Sequence, residues 1–126
     1  MIARFQRGQI WESTDGEALF VRQVDPSDSR LADLQRRDGT LEPQVNAASL
    51  ASTWAPYPTA EFALIDDAGD ILATSGTASW SDAIAAMSWS LGSPLSLSEG
   101  NPGDLRLCYR SGPADEFRGW IPVRHE

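Results

Sequence analysis

Residues 61–92 read EFALIDDAGDILATSGTASWSDAIAAMSWSLG, and this stretch decides the fold. Two short apolar runs, 62–65 and 71–74, flank a cluster of Asp and Gly, which is the pattern of a β-hairpin. Ser79 then has the position of a helix N-cap, good helix formers follow it, and Gly92 suits the left-handed residue that ends a helix. The stretch therefore predicts two strands followed by one helix.

The predicted helix has a single apolar stripe. At about 100° per residue, one face collects Trp80, Ala83, Ile84, Met87 and Leu91. Trp89 falls on the opposite face, together with Asp82 and Ala85. Trp80 is therefore expected in the core. Trp89 has three alternatives: it is exposed to solvent, packs on the N-terminal half, or lies in an interface with a partner, where Trp is enriched.

Charge is distributed unevenly along the chain. The net charge is −8 and every basic residue apart from one histidine is arginine. Between Arg37 and Arg106 there are nine acidic residues and no basic residue over 68 positions. This segment disfavours direct nucleic-acid binding, because phosphate contacts require Arg or Lys. It favours a partner with a basic surface, and solubility is the alternative explanation.

Composition and cysteine content indicate the broad class of the protein. With 41% hydrophobic residues and five Trp, the chain of 126 residues is expected to form a folded core. It has no apolar run of about 18 residues, and its first residues lack the apolar segment of a signal peptide. The single Cys108 has no partner for an internal disulfide. We therefore expect a cytoplasmic protein that does not bind membranes.

The N-terminal half predicts a small β unit. Strands are expected at residues 8–12, 18–24, 41–46 and 54–57, with one helical turn at 49–52. Residues 30–37 lack clean alternation, so both strand and helix stay open there. The predicted core of this unit consists of Trp11, Phe20, Val24, Leu41, Leu50 and Trp54.

The order of these signals resembles one family. Gly-x-Ile-Trp-x-Ser-x-Asp-Gly spans residues 8–16, Val-Asp-Pro ends a strand at 24–26, and Asp-Gly makes a turn at 38–39. Ala-Ser-Leu at 48–50 then precedes an aromatic strand. Residues 8–57 thereby resemble the small Src-homology-3-like barrels of phage and mobile-element proteins. The resemblance implies a barrel-like unit that carries no activity by itself.

The C-terminal half predicts a β-β-α-β-β unit. Its later strands are expected at residues 105–110 and 117–123, and an extra short edge strand at 95–97 is left open. Pro122 indicates that the strand at 117–123 is an edge strand. The expected fold class is therefore α+β. A small β-barrel-like unit, 1–57, is followed by a unit with one helix on an antiparallel sheet, 58–126.

Patterns typical of catalytic and metal sites are absent. The only histidine is His125, and the sequence contains no nucleophile elbow, phosphate loop or Cys/His metal spacing. Asp66, Asp67 and Asp70 do not match a calcium loop, and a hairpin turn explains them. We expect no catalytic residue, metal or cofactor. A pair of carboxylates that meet in a cleft would instead indicate a hydrolase or a small-ligand binder.

These observations favour a non-enzymatic, acidic protein-binding module. One version is an inhibitor from a phage or mobile element that docks on a basic nucleic-acid-binding complex, such as a defence complex. The expected partner-binding residues are Trp89, Asp82, Asp66, Asp67 and Asp70. The alternatives are the carboxylate-based hydrolase and a structural or assembly protein, such as a virion accessory or an oligomeric scaffold. Homo-oligomer formation is left open.

Overall fold

The structure, a computed structural model, describes residues 4–50, 52–98 and 105–125. Its first part contains β1 (Ile10–Ser13), β2 (Ala18–Asp25), β3 (Asp28–Arg36), β4 (Leu41–Asn46), the helical turn α1 (Ala47–Leu50) and β5 (Trp54–Tyr57). Its second part contains β6 (Glu61–Asp66), β7 (Ile71–Ser75), α2 (Trp80–Leu91), β8 (Leu95–Leu97), β9 (Leu105–Arg110) and β10 (Arg118–His125). The α+β class is confirmed. Neither helix in these ranges is long and apolar enough to cross a membrane.

The first sheet has the strand order β4-β3-β2-β1-β5, and all its neighbours are antiparallel. Gly16 and Gly39 make two of its turns with φ of 86° and 90°, a region that favours glycine. The strand alternative for residues 30–37 is confirmed over the length of β3. No pairing of described residues joins β4 to β5, so no closed barrel is seen there and the barrel-like unit stays a prediction.

Strands β1 and β2 bury both of their faces. Ile10 and Phe20 point into a core shared with the second sheet. Trp11 and Leu19 point to the other side, into a smaller core that Phe5 and the α1 region complete. This alternation follows from the two-residue period of a strand. The prediction that Leu41 is a core residue is wrong, because the edge strand β4 leaves it 44% exposed.

The second sheet has the order β7-β6-β9-β10-β8, again with antiparallel neighbours. The predicted β6–β7 hairpin is confirmed, and the short edge strand left open at 95–97 is present as β8. The prediction that Pro122 marks an edge strand is wrong, because β10 lies between β9 and β8. Pro122 still accepts a hydrogen bond from the Ser98 amide through its carbonyl (2.8 Å). The N–H that proline lacks would face Ser98, just past the end of the short strand β8.

Helix α2 has the predicted caps. Ser79 accepts a hydrogen bond from the Asp82 amide, and Gly92 adopts the left-handed conformation with φ of 65°. The buried face consists of Trp80, Ala83, Ile84 and Met87. Leu91, which was expected on the same stripe, is 38% exposed because the helix ends there.

The direction of α2 follows from the strand pairings. Four antiparallel steps separate β7 from β8 in the sheet, so these two strands run in the same direction. Helix α2 joins the end of β7 to the start of β8 and must run back along the sheet. The C-terminus of α2 therefore lies at the same end of the sheet as the β6–β7 turn. A contact of 3.0 Å between Ser93 Oγ and His125 Nδ1 places the end of β10 there too.

Buried contacts join the two sheets. Sixteen buried residues of the described chain, from both sheets and α2, form one core. Trp80 donates from its indole Nε1 to the Val21 carbonyl at 2.8 Å, and Gln35 donates from Nε2 to the Ser98 carbonyl at 2.9 Å. The strands change sheets after Tyr57, close to the expected boundary at residues 57 and 58. The division into two domains stays a prediction.

Candidate partner-binding surface

Large apolar side chains are exposed mainly at one end of the second sheet. Five such residues of the described chain are exposed, and four of them are Ile71 (56%), Leu72 (42%), Trp89 (90%) and Leu91 (38%). The first two begin β7 and the other two end α2, so the topology brings them to one end. We call these four residues, together with the β6–β7 turn at 66–70, the α2-end surface.

Trp89 is the main apolar residue of this surface. It lies in the last turn of α2, on the face opposite the buried stripe, and 90% of it is exposed. The alternative in which Trp89 packs on the N-terminal half is therefore wrong. The remaining two alternatives, solvent exposure and an interface, differ only in the presence of a partner. In the part of the chain that the structure describes, Trp89 belongs to neither buried core.

The acidic turn has one structural carboxylate and two outward-facing ones. Asp66 accepts hydrogen bonds at Oδ1 from the amides of Ala68 (3.0 Å) and Asp70 (2.8 Å). This geometry is an Asx turn, so Asp66 stabilises the hairpin. Asp67 and Asp70 are exposed. These two carboxylates give the surface its negative charge.

Asp82 is at the opposite end of α2 from the other predicted site residues. It lies in the first turn of the helix, where a negative charge interacts favourably with the helix dipole. Seven residues separate Asp82 from Trp89, which corresponds to about 10 Å along the axis. The topology therefore places Trp89 and the acidic turn at the same end of the second sheet and Asp82 towards the other end. Its role in partner binding stays a prediction.

Sequence reasoning missed Ile71 and Leu72 as surface residues. The sequence pattern assigns both to an apolar strand, and strict alternation predicts that one of them is buried. The pairing of β6 with β7 shifts register between Leu64 and Ile65, which places an extra residue on β7. Such a bulge changes the direction of successive side chains. No signal in the sequence marks its position.

A polar cluster lies where the two sheets meet. Tyr109 donates its hydroxyl hydrogen to Glu12 Oε2 at 2.6 Å, and Arg118 pairs with Glu12 Oε1 at 3.0 Å. The Arg118 guanidinium also lies 4.9 Å from the centre of the Tyr57 ring. Burial, followed by the bond to Glu12, raises the pKa of Tyr109 above its ordinary value. Each member has a partner within the cluster, which indicates a structural role.

The other reactive groups show no catalytic arrangement. Burial raises the pKa of the Cys108 thiol, which disfavours the nucleophilic thiolate. His125 contacts Ser93 at the end of β10. In residues 4–50, 52–98 and 105–125, no three His, Cys, Asp or Glu side chains are grouped so that they could hold a metal ion. The expectation that the protein is not an enzyme stays a prediction.

Comparisons with known proteins give no relative of this chain. No protein-family model, no curated protein and no solved structure matches it. The resemblance of residues 8–57 to Src-homology-3-like barrels stays a prediction.

Proposed function

We propose that the protein is a non-enzymatic binding module that uses its α2-end surface to hold another protein. The observation that carries this proposal is the 90% exposure of Trp89. An indole in this position gains free energy only when another molecule covers it. Tryptophan is also among the residues that most often dominate protein–protein binding energy.

Other exposed residues support a protein partner. Leu91, Ile71 and Leu72 are exposed apolar residues at the same end of the sheet as Trp89. Asp67 and Asp70 are exposed charged groups in the β6–β7 turn at this end. An apolar centre with a polar rim is the usual anatomy of a protein interface.

The charge of the surface favours a basic partner. Strands β6 and β7 and helix α2 contain acidic residues and no Lys, Arg or His. The acidic turn would attract and orient a basic protein, while Arg124 and His125, at the end of β10, lie at the same end of the sheet. One concrete version is an inhibitor that docks on a basic nucleic-acid-binding complex. In that version, the resemblance of residues 8–57 supports a barrel-like N-terminal unit and an origin in a phage or mobile element.

Affinity capture tests the proposal. The wild-type protein is immobilised and challenged with cell lysate beside Trp89→Ala and Leu41→Ala, which truncates the remaining exposed large apolar residue. We expect Trp89→Ala to lose the captured partner and Leu41→Ala to retain it. We also expect capture to weaken as salt rises above about 0.15 M, because screening then acts within about 8 Å. Equal capture by both variants would contradict the proposal.

Self-association is the alternative, and a second experiment measures it. Analytical ultracentrifugation of the wild type and Trp89→Ala reports whether Trp89 holds a second copy of the chain. A dimer that Trp89→Ala dissociates would favour an assembly protein over a binding module for a different partner.

A further inference from the structure

A cleft lies where the first sheet meets the start of α2, at the opposite end of this helix from the α2-end surface. Its volume is about 520 Å³, within the range of about 300–1,000 Å³ that is usual for ligand sites. Its described lining includes two arginines, one carboxylate and three apolar side chains: Arg7, Arg22, Asp33, Leu41, Pro43 and Trp80. The Trp80 amide donates to the Gly8 carbonyl (3.0 Å), which fixes the segment next to Arg7 against the helix.

The apolar part of the cleft is an uncovered edge of the shared core. Leu41 pairs with Gln35, and Gln35 pairs with Phe20, which points into that core. Directly paired residues of an antiparallel sheet have their side chains on the same face, so Leu41 lies on the core side of the first sheet. Trp80 belongs to the same core. Leu41 is 44% exposed, so an apolar ligand group in the cleft would cover it.

The polar part of the cleft has an excess of positive charge. Arg7 and Arg22 contribute two positive charges and Asp33 one negative charge, which leaves one net positive charge in the described lining. Asp33 Oδ1 also accepts the Gln44 amide at 3.0 Å, so this carboxylate holds β4 in place. Arg7 is exposed and forms no ion pair with any described residue. In a chain with a net charge of −8, this lining favours an anionic ligand.

A buried hydrogen-bonded chain orients Arg22. Arg22 Nη1 donates to Gln35 Oε1, and Gln35 Nε2 donates to the Ser98 carbonyl at 2.9 Å. Gln35 is fully buried. The position of the Arg22 guanidinium is therefore defined before a ligand binds, which lowers the cost of ordering the site.

We propose that this cleft binds a small ligand in which an apolar group bears a carboxylate. The apolar group covers Leu41 and Pro43 beside the Trp80 indole, and the carboxylate pairs with Arg7 close to the positive charge of Arg22. One net positive charge matches a singly charged carboxylate better than a doubly charged phosphate. A free organic acid and a peptide C-terminus with an apolar last residue both have this chemistry.

Titration with small molecules tests the proposal. The probes are phenylbutyrate, its uncharged analogue phenylbutanol, its cationic analogue phenylbutylamine, and acetate, which lacks the apolar group. The readout is the indole N–H signal of Trp80 in NMR spectra, assigned by its loss in Trp80→Phe. We expect phenylbutyrate to bind at least tenfold more tightly than each of the other three. Equal binding of phenylbutanol would overturn the proposal.

A second pair of probes distinguishes the two sources of the carboxylate. These probes are acetyl-glycyl-phenylalanine with a free C-terminus and the same peptide as its C-terminal amide. Tighter binding of the free peptide than of phenylbutyrate would identify a peptide C-terminus as the ligand, and weaker binding would identify an organic acid. In both cases we expect the amide to bind at least tenfold more weakly than the free peptide, and equal binding would overturn the proposal.

Three variants locate the binding. Arg7→Gln is expected to weaken phenylbutyrate binding about tenfold through the lost ion pair, and Leu41→Asn about fivefold through the lost apolar contact. The matched control, Arg124→Gln, removes the same charge from an exposed position at the end of β10 and is expected to change the affinity less than twofold. All three residues are exposed, so the variants are expected to fold, and urea unfolding checks this. Binding that is indifferent to Arg7→Gln, or is weakened equally by Arg124→Gln, would overturn the proposal.

This proposal is independent of the proposed function, because the cleft and the α2-end surface lie at opposite ends of α2. Trp89→Ala is expected to bind phenylbutyrate as tightly as the wild type does. Loss of phenylbutyrate binding in Trp89→Ala would place the ligand at the α2-end surface and overturn the proposal for the cleft.

Discussion

Gly8 has to be glycine for two separate reasons. Its φ of 84° lies in the left-handed region, where a side chain is strained. A Cβ at this position would overlap Ser79 Oγ and lie 2.8 Å from Ser79 Cβ, at the start of α2. The Gly8 carbonyl also accepts the Trp80 amide at 3.0 Å. The close approach of the first part of the chain to α2 therefore depends on this residue.

Gly16 provides a matched control for a prediction at Gly8. Gly16 has nearly the same φ, 86°, and a Cβ added there would meet no atom within 4 Å. We expect Gly16→Ala to cost about 1–2 kcal/mol from backbone strain alone, and Gly8→Ala to cost clearly more because of the overlap with Ser79. Urea unfolding of both variants measures the difference. Equal losses would show that Ser79 moves aside without cost.

Tyr109 gives a prediction for alkaline pH. Its pKa is raised in the folded protein by burial first and then by the bond to Glu12, so the folded state holds the proton more tightly. This contribution to stability is fully present below the unfolded pKa of about 10 and is lost as pH rises above it. We expect Tyr109→Phe to cost about 1–2 kcal/mol at pH 7, from the lost hydrogen bond.

We expect Tyr109→Phe also to weaken the dependence of the free energy of unfolding on pH. Between about pH 9 and 11, the free energy of unfolding of Tyr109→Phe is expected to fall less than that of the wild type. Tyr57→Phe, at the edge of the same cluster, is the comparison. An unchanged alkaline slope in Tyr109→Phe would contradict the assignment of this titration to Tyr109.

At the scale of elements, β8, β10 and β3 meet through one buried amide. The Ser98 amide bonds to the Pro122 carbonyl, and in an antiparallel pair the Ser98 carbonyl would accept the amide of residue 122 in return. Proline has no N–H, so that carbonyl accepts Gln35 Nε2 instead. Gln35 is fully buried and comes from the other sheet. A missing ladder bond in one sheet is thus replaced by a contact with the other.

A double-mutant cycle tests this exchange. Gln35→Met should cost about 1–3 kcal/mol, because it removes a buried hydrogen-bond donor. Pro122→Ala restores an N–H that can reach the Ser98 carbonyl, so the cost of Gln35→Met should be smaller in that background. Equilibrium unfolding of the four proteins gives the coupling energy. Strict additivity would show that Pro122 and Gln35 do not act on the same carbonyl.

Local signals predicted most elements, and long-range pairing decided the rest. The hairpin at 61–75 and the caps of α2 could be predicted because they depend on neighbouring residues. The sequence leaves β3 open between strand and helix. Its pairings with β2 and with β4 both contain register shifts, which disturb the alternation of apolar and polar residues. The prediction of an edge strand from Pro122 is wrong because Gln35 donates a hydrogen bond in place of the N–H that proline lacks. Gln35 lies 87 positions earlier in the sequence. No local pattern contains that information.

At the scale of the whole molecule, the candidate site depends on sheet topology. The sequence placed Trp89 on the outer face of α2 and the acids in a turn, and both placements agree with the structure. Trp89 and the acidic turn lie at the same end of the sheet because β7 and β8 run in the same direction. Only the sheet topology contains this information. The same topology separates Asp82 from them. Exposure of Ile71 and Leu72 depends on a bulge, which the sequence does not mark.

The two tryptophans of α2 therefore have different roles in the whole molecule. Trp80 is 8% exposed, lies in the shared core and bonds to the Val21 carbonyl of the first sheet. Trp89 is 90% exposed and belongs to neither core of the described residues. Trp80 is therefore explained by folding, and we propose that Trp89 is explained by binding.

Equilibrium unfolding of Trp80→Ala and Trp89→Ala tests this distinction most directly. We predict that Trp80→Ala loses about 3–5 kcal/mol, as expected for a large core truncation. This is a large part of a typical domain stability of about 5–15 kcal/mol. We predict that Trp89→Ala stays within about 0.5 kcal/mol of the wild type, as surface substitutions usually do. A loss in Trp89→Ala comparable to that in Trp80→Ala would show that Trp89 supports the fold and would contradict its assignment to a partner.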